Sequence, residues 1–368
     1  MLELIVFISP FSEPGASTRR LIYLAQAFED YRLIMPGQDK YGVSTRSERH
    51  YLPLGRKSFL LLPVWWVKSL MALLKWKPSV VVFLKPHLFT LPTALAYRIL
   101  TGRPIVFDCD EWDPATLADN DEPGWKVSLT EFLAGVSLKV SALIMYGNHL
   151  TLEEKIPVGF RGKTVYVPNG VDTSFFNRPA EPHKGFRIVF SGMLFKIKHI
   201  IPVVQAVDDV KDDVSGIKCV IVGGGSRLDE LKAIVEEKGL SEHFEFKGMV
   251  DHSQLPDIFS TADVLIAPFT DLPGIRYQSN VKVFEYMSSG RPIIASRVGE
   301  LDVVLDDGDL GFLTAPGDSA AISEAVRGIH AGMEAAREMG LRSREKAVRE
   351  YDWKVLGKRL KERINALK

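Results

Sequence analysis

Apolar residues follow two rhythms along this chain. Short runs dominated by aliphatic and aromatic residues, such as LELIVFI at 2–8, VVVFL at 80–84 and FRIVF at 186–190, alternate with longer stretches whose apolar positions recur every three or four residues. The runs read as strands buried on both faces and the longer stretches as helices with one apolar stripe. Their alternation predicts parallel sheets covered by helices, an α/β class of fold.

The first strand, 2–8, runs into SPFSEPGASTRR, a loop containing Gly15, and then a helix from Ser17 to Phe28. Glycine there either lets a ligand approach the backbone or makes a plain turn. LFTLPTALAYRIL at 88–100 reads as a helix stopped by Thr101-Gly102-Arg103-Pro104, and IVFDCDEWD at 105–113 as a strand ending in acids. Ligands of open α/β sheets collect at the carboxyl ends of strands, so Asp110 or a neighbour is a candidate contact for an acceptor hydroxyl; loop solvation and capping are the alternative. Strands at 140–148 and 164–167 follow, the second leading to Asn169-Gly170, which predicts a tight turn. NRPAEPHKG at 177–185 is Pro-rich and polar and reads as a linker.

The pattern then starts afresh, with strands FRIVFSG, KCVIVGGGS, FEFKGMV and DVLIAPF separated by amphipathic helices. Next comes SNVKVFEYMSSGRPIIASRVGE at 279–300, a helix with Ser279 as its N-cap, a stop at Gly290-Arg291-Pro292, and a short strand. Lys282 and Glu285, three apart near the helix start, share a face. They read either as a surface ion pair or as a cation and carboxylate at an anion-binding helix end. A last helix runs from Trp353 to Leu367. Two domains are expected, 1–180 and 181–352, divided at the 177–185 linker.

Residues 54–77 combine three tryptophans and many leucines with five basic residues. Two readings compete: a core helix ahead of the strand at 80–84, or an interfacial helix whose Trp and Lys/Arg sit among lipid headgroups; a mixed helix, one face buried and its basic residues facing lipid, is compatible with both.

Composition removes several classes. Lys plus Arg and Asp plus Glu both number 46, so the formal net charge is zero and no nucleic-acid partner is expected. Cys109 and Cys219 stand far apart, in no disulfide framework or metal-ligand spacing, which fits reduced thiols in the cytoplasm. LELIVFIS carries Glu3, lacks a basic leader and reads as a strand, not a signal peptide. The Gly223-Gly224-Gly225 run fails the dinucleotide fingerprint because position 228 is Leu228, leaving close approach of a ligand or a facing loop, or a plain tight turn, as its use. Gly192, Lys196 and Lys198 follow the first strand of the second half, where lysine suits a pyrophosphate.

Seven ordered stretches together resemble the retaining glycosyltransferases of family 4: VPNGVDTSFF at 167–176, Gly192-x-Leu194 followed by Lys198, VIVGGGSRLDEL at 220–231, FKGMV at 246–250, ADVLIAPF at 262–269, KVFEYMSSGRPIIASRVGE at 282–300 and GDLGFLTAPGD at 308–318. The resemblance covers nearly the whole chain. It implies the GT-B fold, two facing Rossmann-like domains with a C-terminal helix, in 353–368, crossing back to the first. It also implies transfer of a sugar from a UDP- or GDP-sugar to a hydroxyl, with retention, no metal and no cofactor beyond the nucleotide-sugar donor as co-substrate. By the same resemblance Glu285 accepts from the donor ribose, the amides of Asn280 and Val281 meet its phosphates, and Lys198 is the phosphate lysine. The implied catalytic candidates are Asp110, Lys198 and Glu285. The donor-binding candidates are Gly15, Gly192, Lys196, Lys198, Gly224, Arg276, Asn280, Val281, Lys282 and Glu285.

Two departures stand out: Met193 where the family has arginine, and Tyr277 where the first glutamate of its pair would fall. Lys282, Lys196 and Arg276 are the candidate replacement cations. The expected acceptor is a saccharide or lipid-linked glycan, with peripheral contact through 54–77 at the cytoplasmic membrane face. The alternative is a non-catalytic nucleotide-sugar-binding subunit, which Met193 and Tyr277 motivate. A sugar-nucleotide epimerase on the same plan has no positive motif.

Overall fold

The computed structural model describes residues 4–11, 16–36, 49–52 and 59–367. Gly15 and residues 54–58 lie outside the described residues. Two compact units result: one of residues 1–170, 277–279 and 353–368, the other of 171–276 and 280–352.

In the first unit the strands are β1 (Ile5–Ile8), β2 (Tyr31–Pro36), β3 (Arg49–Leu52), β4 (Val80–Leu84), β5 (Ile105–Cys109), β6 (Leu143–Tyr146) and β7 (Thr164–Tyr166). They form one parallel sheet in the order β3-β2-β1-β4-β5-β6-β7, with Ile5 of β1 opposite Tyr31 on one side and Val80 on the other. Successive strands buried on both faces require helices above and below. One face carries a core with Trp65, Tyr97, Phe107 and Leu138, and the other a core with Leu21, Leu24, Leu356 and Ile364.

The last helix, Trp353–Asn365, therefore belongs to the first unit, although the chain reaches it only after traversing the second. Trp353 stacks on Tyr23 with ring centroids 5.3 Å apart. This packing explains Gly170 differently from the turn expected for Asn169-Gly170, because Gly170 is not among the positive-φ residues. A Cβ at Gly170 would lie 2.8 Å from atoms of both Trp353 and Leu356, so the glycine makes room for the returning helix. Gly170→Ala is expected to destabilise the chain by about 1–3 kcal/mol through overpacking. It should lower the urea midpoint with an unchanged slope, and an unmoved midpoint would show that the helix yields freely.

The Trp- and Lys-rich segment resolves into the helix Leu62–Trp76. Trp65 and Trp66 turn inward, their indole N–H groups donating to the carbonyls of Phe89 and Leu88 at 2.6 and 2.7 Å. These two indoles are thus not the headgroup anchors of the interfacial reading. Indoles are buried where a carbonyl satisfies the N–H, and the Phe89 and Leu88 carbonyls do so.

The second unit is a parallel sheet of β8 (Phe186–Ser191), β9 (Ile217–Val222), β10 (Phe244–Gly248), β11 (Val264–Ala267), β12 (Ile293–Ser296) and β13 (Phe312–Thr314), in the order β10-β9-β8-β11-β12-β13. Both sheets thus follow the doubly wound order, in which strand order reverses beside the first strand. The segment expected as a linker is stitched to this second unit: the Glu181 N–H donates to the Ser260 carbonyl and the His183 ring lies 2.7 Å from Asp263. By contacts the division falls after Gly170.

Candidate active site

The helix Val281–Ser289 follows β11 and, with its N-cap, carries four of the candidates, Asn280, Val281, Lys282 and Glu285. Its N-cap is Asn280, with extended backbone and no side-chain cap, in place of the expected Ser279. The Ser279 hydroxyl is occupied elsewhere, accepting the Asn169 N–H at 2.8 Å, while the Asn169 side-chain amide donates to the Ser279 carbonyl. No side chain caps the first turn, where the Val283 N–H donates to the Asn280 carbonyl at 3.0 Å, and a helix N-terminus without a side-chain cap favours an anion. At the other end Gly290 takes a left-handed conformation, φ 71°, and Arg344 donates to the carbonyls of Ser288 and Thr173. Val283, Phe284, Tyr286 and Met287 anchor the helix, and the Tyr286 hydroxyl accepts the Ser191 N–H at 2.9 Å from the end of β8.

Lys282 and Glu285 do not rely on each other. The Lys282 ammonium lies over the rings of Phe190 and Phe269, 4.7 and 5.4 Å from their centroids. Aromatic faces attract a cation without neutralising it. Gly192 makes the approach feasible, since a Cβ there would lie 2.7 Å from Lys282 Nζ. Desolvation brings the Lys282 pKa down to about 8, against the opposing charge of Glu285. Burial and the Lys282 charge together push His199 down to about 4, leaving it neutral at ordinary pH. Glu285 is bound instead by His252, whose Nε2 lies 2.9 Å from Oε1. The His252 ring is stacked on Phe175, with centroids 5.5 Å apart and planes 3° from parallel.

The glycine run after β9 supports the phosphate loop. Gly223, with φ 132°, would place a Cβ 1.9 Å from the Gly192 carbonyl oxygen, and the Leu194 N–H donates to the Gly224 carbonyl at 2.8 Å. Of the readings the sequence left open, a facing loop is what meets the Gly223 and Gly225 backbones; at Gly224 the Met249 side chain closes in, 2.9 Å from where a Cβ would stand. Lys196 and Lys198 are exposed on the loop between β8 and the helix Ile201–Val210. The Arg276 guanidinium is committed to Asp271 through two bonds of 2.6 and 2.7 Å, which leaves Lys282 as the cation gathered beside Gly192.

Two candidates belong to the first unit. Tyr277 is buried there, its hydroxyl donating to Glu154 at 2.6 Å and its ring lying under Lys155. Asp110 sits buried just after β5, where Oδ2 accepts from the Ser17 hydroxyl at 2.6 Å and Oδ1 lies 3.3 Å from Lys85 Nζ. Lys85 also pairs with Glu111 at 2.5 Å and Asp113 at 2.8 Å. Burial lowers its pKa, but the carboxylates of Asp110, Asp113 and Glu111 outweigh this and leave it raised. Close by, Arg20 makes a forked pair with Asp108 and donates to the Pro168 carbonyl at 2.6 Å.

His252, His199, Lys85 and Arg20 were not among the sequence candidates. One signal was available for Arg20: it lies four residues before Leu24, on the buried stripe of its own helix. No spacing links His252 to Glu285, which are 33 residues apart.

Two Rossmann-like sheets, with the final helix returned to the first of them, define the GT-B class of fold. Sucrose-phosphate synthase from Thermosynechococcus elongatus shares this fold, with a TM-score of 0.78 at 17% identity over 99% of each chain. So does HepE of Anabaena, solved with UDP, at 0.77 and 15% over the whole of both chains. Residues 171–346, nearly all of them in the second unit, match the family model of the glycosyl transferases group 1. In sequence it is 29% identical to the phosphatidyl-myo-inositol mannosyltransferase of Mycobacterium leprae over 201 residues, 53% of this chain and 52% of that protein. It is 28% identical to a GDP-mannose-dependent phosphatidylinositol monomannoside mannosyltransferase of Mycobacterium tuberculosis over 208 residues, 53% of this chain and 54% of that one. The chain thus spans about half the length of the curated relatives it matches.

Proposed function

We propose that this protein is a retaining, metal-independent glycosyltransferase that moves a sugar from a UDP- or GDP-sugar to a hydroxyl of a saccharide or lipid-linked glycan in the cytoplasm. One observation carries the reading: the helix Val281–Ser289 offers, on its first turns, an N-terminus without a side-chain cap, an ammonium in no ion pair among the described residues, and a carboxylate oriented by His252. On this reading the amides of Asn280 and Val281 and the Lys282 ammonium receive the donor diphosphate. The Glu285 carboxylate accepts from the ribose hydroxyls. Negative charge grows on the diphosphate as the glycosidic bond breaks, and a preset cation at a helix N-terminus stabilises it without reorganisation. Lys198 adds a second, exposed charge from the loop after β8, and Lys282 does the work of the arginine absent at Met193. Asp110, at the carboxyl end of β5, is the acceptor-side residue, and Lys85 fixes its carboxylate. The buried free thiols of Cys109 and Cys219 suit a reducing compartment.

The test is calorimetric titration of UDP- and GDP-sugars across the pH range around 8, paired with a transfer assay. Lys282 is charged below its pKa of about 8, so donor affinity should fall as pH rises through that value. Lys282→Met should weaken binding and flatten the pH profile, while Lys282→Arg should keep binding and shift the fall beyond the range. An affinity indifferent to pH and to Lys282→Met would remove Lys282 from the donor site. Binding without transfer to any acceptor would favour the non-catalytic subunit.

A further inference from the structure

Residues 277–279 belong to the first unit, while Arg276 before them and Asn280 after them belong to the second. The chain thus enters the first unit for three residues and leaves it at the N-cap of the helix Val281–Ser289. Each of the three is fixed within that unit. The Tyr277 ring joins the core that holds Trp65 and Tyr97, its hydroxyl donating to Glu154 at 2.6 Å and Lys155 Nζ lying 4.8 Å from its centroid. The Gln278 carbonyl accepts from the buried Asn148 side-chain amide at 3.0 Å, and Asn148 Oδ1 accepts the Leu150 N–H, which fixes the orientation of that amide. Ser279 is held twice by Asn169, at its hydroxyl and at its carbonyl. Asn169 in turn follows Pro168, whose carbonyl Arg20 ties to Asp108 of β5, so the brace is anchored in the sheet.

The place of these bonds gives them a use beyond stability. A helix start frays unless something holds it, and the usual device, a side chain bonded to the first-turn amides, would occupy the very groups an anion needs. Here no side chain caps the first turn, and the residue just before the N-cap is pinned instead. We infer that Asn169 is a positioning residue for the donor: through Ser279 it sets where the first turn of Val281–Ser289 presents its amides to the diphosphate. The inference rests on the donor site proposed above and adds that this site is braced by side chains of the first unit. Tyr277 gains a role by the same geometry, as the far anchor of the three-residue strap. Asn169 touches no donor on this account and acts only through the strap.

The experiment is calorimetric titration of the full chain with UDP and with GDP, alongside hydrogen exchange of peptides covering residues 280–289. Asn169→Ala and Ser279→Ala each remove one side-chain bond of the strap and should weaken nucleotide binding about three- to tenfold, the net worth of a hydrogen bond. Both should also speed amide exchange at the helix start. Ser279→Thr keeps the hydroxyl and should bind as the wild type does. If either alanine variant fails to fold, Tyr277→Phe removes a single hydroxyl from the same strap and carries the same expectation. A tie that serves stability alone would lower the thermal midpoint and leave the affinity of the folded protein unchanged. Wild-type affinity in the variants, or a loss that Ser279→Thr shares in full, overturns the inference and leaves the donor site standing. A wild type that binds neither nucleotide removes the donor site and the inference with it.

Discussion

Glu285→Ala is expected to weaken nucleotide-sugar binding about ten- to a hundredfold, the loss of a charged hydrogen-bond partner being worth about 1–3 kcal/mol. Glu285 stands one turn after Lys282 on a segment locked by Phe284, Tyr286 and Met287, so its carboxylate has little freedom to search. His252 engages Oε1 at 2.9 Å and leaves Oε2 for a ligand hydroxyl. Such a preset acceptor gives up its full interaction when removed, because among the described residues no other carboxylate is hydrogen-bonded to His252. Glu285→Gln keeps an acceptor oxygen and should fall between wild type and alanine. The folded state loses much less, since His252 is half-exposed and can turn to water, so the unfolding midpoint should scarcely move. Calorimetry at matched stability decides: an unchanged affinity for every nucleotide sugar would mean that the ribose is bound elsewhere.

The same helix shows what the sequence could and could not disclose. Strands buried on both faces betray themselves as apolar runs, which is why β1, β4, β8, β11 and β12 are legible, along with the doubly wound class they define. β2 and β3 are not, because YRLIMP and RHYL mix basic and apolar residues without alternation. The helix Gly124–Val140 is also hard to see, since GWKVSLTEFLAGVSLKV spreads apolar residues around its circumference. At the site, position along the chain locates Lys282 and Glu285 but not their partners. Spacing of three residues argues for a mutual ion pair, whereas the partners are two aromatic rings and His252, set by loops that meet only in the fold. Gly170 teaches the same lesson: Asn-Gly announces a turn, yet its reason lies in Trp353 and Leu356, far along the chain.

Arg20→Met is expected to be the most destabilising single change, costing about 3–5 kcal/mol by leaving a buried carboxylate without its partner. Arg20 and Asp108 are both buried, joined by two guanidinium nitrogens at 2.9 to 3.2 Å, and Arg20 also satisfies the Pro168 carbonyl. This pair ties the first helix to the end of β5, two residues before Asp110. Burial already raises the Asp108 pKa, against the Arg20 charge and hydrogen bonds, with Asp110 raising it further. Without Arg20 both raising causes remain and the main lowering one is gone. A carboxyl whose folded pKa lies above its unfolded value stabilises the fold when protonated and loses that contribution as pH rises through the folded pKa. The deficit of Arg20→Met should therefore be largest near about pH 8 and shrink towards about pH 5, as the stranded carboxylate takes up a proton. Arg20→Met/Asp108→Leu removes both charges and should recover much of the loss, because an apolar pair of similar volume avoids the desolvation penalty altogether. Urea unfolding of the three proteins at both pH values tests this. A deficit independent of pH, or a double variant no more stable than Arg20→Met, would show that Arg20 acts through the Pro168 carbonyl and its packing, not through the charge of Asp108.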